Sequence, residues 1–533
     1  MPIVDPPQLE GFSARMLELA STRAPWHRRL WRCGTIELAY EFLDDSVRPG
    51  VRGAAITDGR KHLMHALQTD HGVSDYGRCI ADVIKEITPE TDQESHPWVV
   101  LKHHLDQLNH SYLTNWASAV HSLPTNRPVD TEGAARRVTA HLLGAGMHKN
   151  SLYSWLNTAQ NDPNPLPLGD FLMEADRRLS TPEKTYTFCV PVNKKPTFIT
   201  QDTDSPGWMT STETAQWKKY HAPEAQSVRH QGSFTIQIRA RDVNAAAEKA
   251  REVISYMATK FQLGTRNSLR VCPLMWSREK RSDFPTQSTN RLISVTAFER
   301  LGRLQDLNTV EYLANTLSLV EPLRTGAPHI AVISGWSAIE SLLVGPSDPD
   351  DIVAARRFSL IIAASLMRAE FTYLAKAYAK SSQGPKAESI NACSENLARA
   401  KIFQQLLLED QAVRFADPAD QLALGRIRPT LQSPRQEIIK VADILTREFT
   451  RLYRKRNMVV HGGQIHGTNL HSISETLTPL IGAGIDRIVH AELKFGVSPI
   501  QLSAVAEART DYLKATTTSD SGGLLDLLEH DVD

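Results

Sequence analysis

RQEIIKVADILTREFTRLYRKRNMVVHGG, residues 435–463, decides how the second half of this chain is read. Advancing about 100° per residue places Val441, Leu445, Phe449, Leu452 and Val459 on one apolar stripe. Arg447, Arg451, Arg454 and Lys455 cluster on the far side, as on a helix with one solvated charged face. The spacing predicts a single helix over 434–461, stopped by Gly462 and Gly463. Arg456 breaks the pattern: it projects within about 20° of Leu445, in the middle of the apolar stripe.

A guanidinium keeps its charge, so on a core-facing stripe it needs an anion or water. The stretch 329–344 offers the anion. There Val332, Trp336, Ile339 and Leu343 make an apolar stripe, and Glu340 lies inside it. Two helices that each carry one opposite charge in a buried face are expected to pair Glu340 with Arg456. A pair that only fixes helix register is the plain alternative. Asn457 and His461 stand four residues apart, on one helix face and within hydrogen-bonding reach. An anion-binding arginine, a polar orienter and an imidazole, the group whose charge changes near neutral pH, thus fall within six residues.

Outward from this stretch, 301–515 reads as successive helices: 301–320, 329–344, 351–379, 388–408, 435–461, and two more near 469–493 and 499–514. The breakers between them are RTGAP, GPSDPD and SSQGPK. Residues 1–182 form a helical N-terminal region, with helical spacing clearest in 101–123 and 134–146. Between them, 183–300 changes texture. KTYTFCVPV and GSFTIQIRA alternate as strands, RLISVTAF (291–298) is a third candidate, and Asp242 is placed to cap a helix over 242–263. The expected fold is mainly α with a small α/β insert. Residues 516–533 read as a disordered tail in which LLDLL is at most a short partner-binding helix.

With 533 residues, 41% of them apolar and 23% charged, the composition is that of a multidomain globular chain. Sixty basic residues balance sixty acidic ones, so a nucleic acid must be met by a local patch. Five scattered cysteines without a CxxC pair support neither a disulfide framework nor a cysteine zinc site. No signal-like N-terminus and no run near ~18 apolar residues appears, which suggests a cytoplasmic chain with no membrane partner. The clusters His62, His65, His71 and His103, His104, His110 lack the spacing of a complete metal-ligand set. Residues 140–157 are similar to a helix-turn-helix, but the turn is about two residues off. No phosphate loop or nucleophile elbow is present.

Arg456-Asn457-Met458-Val459-Val460-His461 resembles the R-polar-x-x-x-H motif of HEPN-domain ribonucleases, and Glu340 in WSAIESLL matches the acidic residue of an early helix in the ApeA-like HEPN branch. The resemblance covers 301–515. Bare Arg-x4-His also occurs at Arg60/His65, Arg136/His141 and Arg324/His329, none with the following Asn or the HGG ending. The resemblance implies a C-terminal HEPN-like helical bundle and an endoribonuclease without metal or other cofactor. Two motifs would meet in a homodimer, and many relatives serve as toxins or anti-phage effectors. It implies that His461 is general acid or base, Arg456 stabilises the phosphorane and Asn457 positions either. Glu340 supports them, Arg454 and Lys455 steer RNA, and Tyr453 stacks on a base. The first 300 residues would then sense a trigger ligand or protein. A HEPN-like module that binds RNA or protein without cutting, and a DNA-binding regulator using 140–157, are the alternatives.

Overall fold

In a computed structural model of the chain, the helix that anchors the reading runs from Pro434 to Gly462. Pro434 stands in its first turn, where a missing N–H costs nothing, and Gly463 ends it at φ 64°, donating its N–H to the Met458 carbonyl. The structure describes residues 3–529 except 30–32, 48–52, 75, 89, 124–128, 195–206, 266–267, 288–292, 307–308, 410–411, 464–469 and 515–522. The described chain is mainly helical with a small sheet.

The residues group into two compact units. One combines 3–140 with 291–533; the other holds 141–290. This grouping differs from the four consecutive stretches expected from the sequence. Residues 3–140 share a unit with the C-terminal helices, and the smaller unit starts well before 183.

At the centre of the larger unit lies the helix Val353–Ser381, hereafter the central helix. It is apolar and long enough to cross a membrane by length and composition, but 83% of its most apolar window is buried within the unit. Phe358 meets Phe449 of the Pro434–Gly462 helix edge-on, with centroids 5.1 Å apart. The helix Leu470–Phe495 comes equally close: a Cβ on Gly484 would sit 2.3 Å from Phe358 Cζ, so only glycine fits there. The expected 388–408 helix is two helices, Pro385–Ala392 and Asn396–Glu409, separated at Cys393. A further helix, Pro418–Gln432, was not anticipated, although Asp417 caps it and Pro418 starts it.

Buried charge joins the N-terminal residues to this core. Arg28 donates to Glu370 of the central helix at 2.7 Å and to Asp420 at 2.5 Å. Arg15 and Arg426 both reach Glu132, at 2.7 and 2.9 Å. Burial opposes the charge on Glu370, but His27, Arg28 and Arg426 outweigh it and hold the carboxyl at about 2.

The C-terminal end corrects the expectation of a disordered tail. Leu524, Leu525, Leu527 and Leu528 are buried in the core of the larger unit. Glu529 pairs with Arg368 and Arg487, and Lys401 reaches Asp526 at 2.9 Å. Residues 516–522 and 530–533 lie outside the described residues.

In the smaller unit five strands pair antiparallel: β1 Lys184–Pro191, β2 Trp208–Met209, β3 Ser233–Ala240, β4 Leu274–Ser277 and β5 Asp283–Pro285, in the order β2-β3-β1-β4-β5. Phe188 lies opposite Ile236, so the two alternating stretches present one apolar face. The helix Val243–Thr265 covers it, and Asp242 caps that helix by accepting from Asn244 and Ala245. The third strand is not 291–298. Of that stretch, 293–295 is irregular and Ala297–Arg300 is helical, because Asp486 accepts the Ala297 N–H at 2.7 Å. The strand falls at 274–277, where Met275 and Trp276 are fully buried. In the former helix-turn-helix candidate, Leu152 is buried and Trp155 stacks on Phe171 at 4.5 Å.

Candidate functional site

The Pro434–Gly462 helix and the helix Pro328–Leu343 carry the two misplaced charges to each other. Leu445, Phe449, Leu452 and Val459 on one, and Val332, Trp336, Ile339 and Leu343 on the other, are buried in the shared core. Arg456 Nη2 then lies 3.5 Å from Glu340 Oε2, the partner expected from the two stripes. Arg456 Nη1 donates to Asn457 Oδ1 at 2.9 Å, while its buried Nε finds no acceptor among the described residues. The Arg456 side chain remains 21% exposed and that of Glu340 25%.

Burial raises the Glu340 carboxyl above its ordinary value; Arg456 pulls it down and Asp351 pushes it up again. Asp351 is a member of this site that helical periodicity does not reveal, because it stands at the start of the expected 351–379 helix with no apolar stripe around it. The guanidinium therefore faces a carboxyl whose charge is weakened by its surroundings, at the long end of ion-pair distance.

His461 sits in the last turn, exposed, with Gly462 and Gly463 exposed beside it. Its ring makes no hydrogen bond among the described residues. The expected Asn457–His461 contact is replaced by Arg456–Asn457, because the guanidinium is the stronger donor and lies next in sequence.

The charged face requires correction. Arg451 and Lys455 are buried, 3% and 2% exposed as side chains, not solvated. Arg451 bonds to Glu41 at 2.5 Å. Lys455 reaches Glu41 at 2.9 Å and Asp45 at 3.2 Å. Both carboxylates come from the helix Thr35–Ser46. Arg454 approaches Asp58, on the helix Gly53–Thr69, at 3.5 Å. Burial opposes the Glu41 charge, but Arg451 and Lys455 together hold that carboxyl near 2. Lys455 is thus unavailable to RNA in this arrangement. Tyr453 is also occupied, its ring 4.8 Å from that of Trp336.

The last two turns of this helix carry a guanidinium tethered to an amide and to a weakened carboxyl, and, five residues on, an exposed imidazole at the glycine stop. Such a set can bind an anion and move a proton. Among the described residues, no three His, Cys, Asp or Glu side chains group as a metal site. Comparison with family models, curated proteins and solved structures finds no match.

Proposed function

We propose that the chain is an endoribonuclease of the HEPN type, its C-terminal helices a HEPN-like bundle and Arg456, Asn457 and His461 its reaction centre. The observation that carries this reading is the pairing of Arg456 with Glu340 at 3.5 Å, with an exposed His461 five residues further along the same helix. In the reaction, a substrate 2′-hydroxyl loses its proton to an imidazole and its oxygen attacks the adjacent phosphorus. The bond from phosphorus to the 5′-oxygen breaks, and that oxygen takes a proton from an imidazolium. The products are a 2′,3′-cyclic phosphate and a 5′-hydroxyl. Arg456 offsets the extra charge on the phosphorane oxygens.

Each chain supplies one such imidazole, so separate base and acid call for two copies meeting at this helix end. A toxin or anti-phage role inside the cytoplasm belongs to the same reading. The test incubates the full chain with RNA in the presence of a chelator and maps the new ends. Cyclic-phosphate ends that disappear in both His461→Ala and Arg456→Ala support the reading; cleavage unchanged in both variants ends it. RNA retained in an Arg456-dependent way without new ends would favour the non-cutting module.

A further inference from the structure

A cavity of about 490 Å³ opens in the larger unit between residues 24–29, the short helix Ala297–Arg300, the central helix and the helix Leu470–Phe495. Five cations line it: Arg29, Arg300, Arg368, Lys376 and Arg487. Asp486 is the one carboxylate among the lining residues, and it is committed to the Ala297 N–H and to Arg300, at 2.7 and 2.9 Å. Glu529 reaches Arg368 and Arg487 from the docked C-terminal segment. Glu475 acts on Arg29 from outside the lining, so five positive charges face three carboxylates in a partly closed space.

Buried polar atoms there also lack partners. Arg487 Nε and both ring nitrogens of His490 have no hydrogen-bond partner among the described residues. Burial and the neighbouring Arg368 bring Arg487 down to about 10, while burial and Arg487 hold His490 near 4. Arg368 and Arg487, with side chains 18% and 15% exposed, are like charges drawn largely away from water, which is costly unless anions join them. The volume suits a small molecule. Trp26 and Tyr373 add flat aromatic surface to the wall.

We propose that this cavity binds a nucleotide, with its phosphates on Arg368, Lys376 and Arg487 and its base against Trp26. The site is separate from the Arg456–His461 centre and does not depend on that centre being catalytic. Phosphate oxygens would compete with the Glu529 carboxylate for Arg368 and Arg487, so binding loosens the hold on the C-terminal segment.

Calorimetric titration of the full chain with ATP, tripolyphosphate and adenosine tests this. ATP is expected to bind, tripolyphosphate to bind more weakly and adenosine not detectably. Arg487→Gln should weaken ATP by about tenfold or more, the loss of one or two charged hydrogen bonds. Lys376→Gln, at an exposed position where folding is safe, should weaken it several-fold. Glu529→Gln should tighten it, and His461→Ala should leave it unchanged. Absence of binding by both ATP and tripolyphosphate overturns the proposal, as does ATP binding that neither Arg487→Gln nor Lys376→Gln alters. Tripolyphosphate binding as tightly as ATP overturns the assignment to a nucleotide.

Discussion

Arg451 stands about one turn before Arg456 and Lys455 directly before it on the same helix, yet the two sides of that turn are built differently. On one side, Arg451 and Lys455 are buried against Glu41 and Asp45 at 2.5 to 3.2 Å. On the other, Arg456 keeps one ion pair at 3.5 Å, one bond to its neighbour's amide and an unmet Nε, and His461 beyond it is exposed. Closely matched buried charge fixes how two segments dock. A loosely matched charge beside an accessible imidazole is what an incoming anion can engage. On the proposed reading the difference separates structure from chemistry within eleven residues, and it can be broken from either side.

The largest effect is expected at the exposed end. His461→Ala should lower RNA cleavage by about 10²- to 10⁴-fold, the usual worth of a general acid or base. Because the ring is solvent-facing, the urea midpoint should barely move, within about 0.5 kcal/mol. A large loss of stability with no loss of cutting would reverse the assignment of the two sides.

Glu41→Gln should do the opposite. It strips the shared partner from two buried cations, which costs about 3–5 kcal/mol when a buried pair is broken, and denaturant unfolding reads it directly. Any loss of cleavage should then vanish when activity is compared per folded molecule.

The same carboxylate predicts an acid limb. Held near 2 against an ordinary 4.5, Glu41 contributes stability that is fully present above about pH 4.5 and fades as pH falls toward 2. His27, lowered from 6.5 to about 4 by burial against the pull of Glu370, acts in an earlier window: its contribution is complete above about pH 6.5 and fades toward pH 4. Unfolding midpoints measured from pH 7 to pH 3 should therefore fall in two stages. Glu41→Gln should shrink only the lower one, which Glu370, also held at about 2, shares; if it shrinks neither, the Glu41 pairing is not what holds that carboxyl down.

The Arg456–Glu340 contact was legible because each residue is a single charge on an otherwise apolar stripe, and helical geometry alone exposes that. The burial of Arg451 and Lys455 was not, since their partner Glu41 lies 410 residues from Arg451 and its own helix looks like any charged helix. Two solvated faces and two faces buried against each other have the same one-dimensional pattern. The strand at 274–277 escaped because four residues are too few for alternation to register. The docking of LLDLL escaped because five residues carry no period that distinguishes a free segment from a packed one. Local periodicity finds elements, but long-range pairing decides which charges are buried.

The smallest stability effect should come from Glu340→Gln, and it asks most of the comparison. The pair is long and partly exposed, so its loss should cost less than about 1 kcal/mol. If Glu340 serves only helix register, that small change is the whole result and cleavage per folded molecule is unaltered. If it aims Arg456 at a phosphate, kcat should fall several-fold with KM little changed, because the lost interaction matters only when charge builds on the phosphorane. Adding Glu340→Gln to Arg456→Ala should then bring no further loss, since a positioning residue has nothing left to position. Independent, additive losses from the two substitutions would mean that Glu340 acts apart from Arg456, and that the loosely matched side of the helix is not one unit.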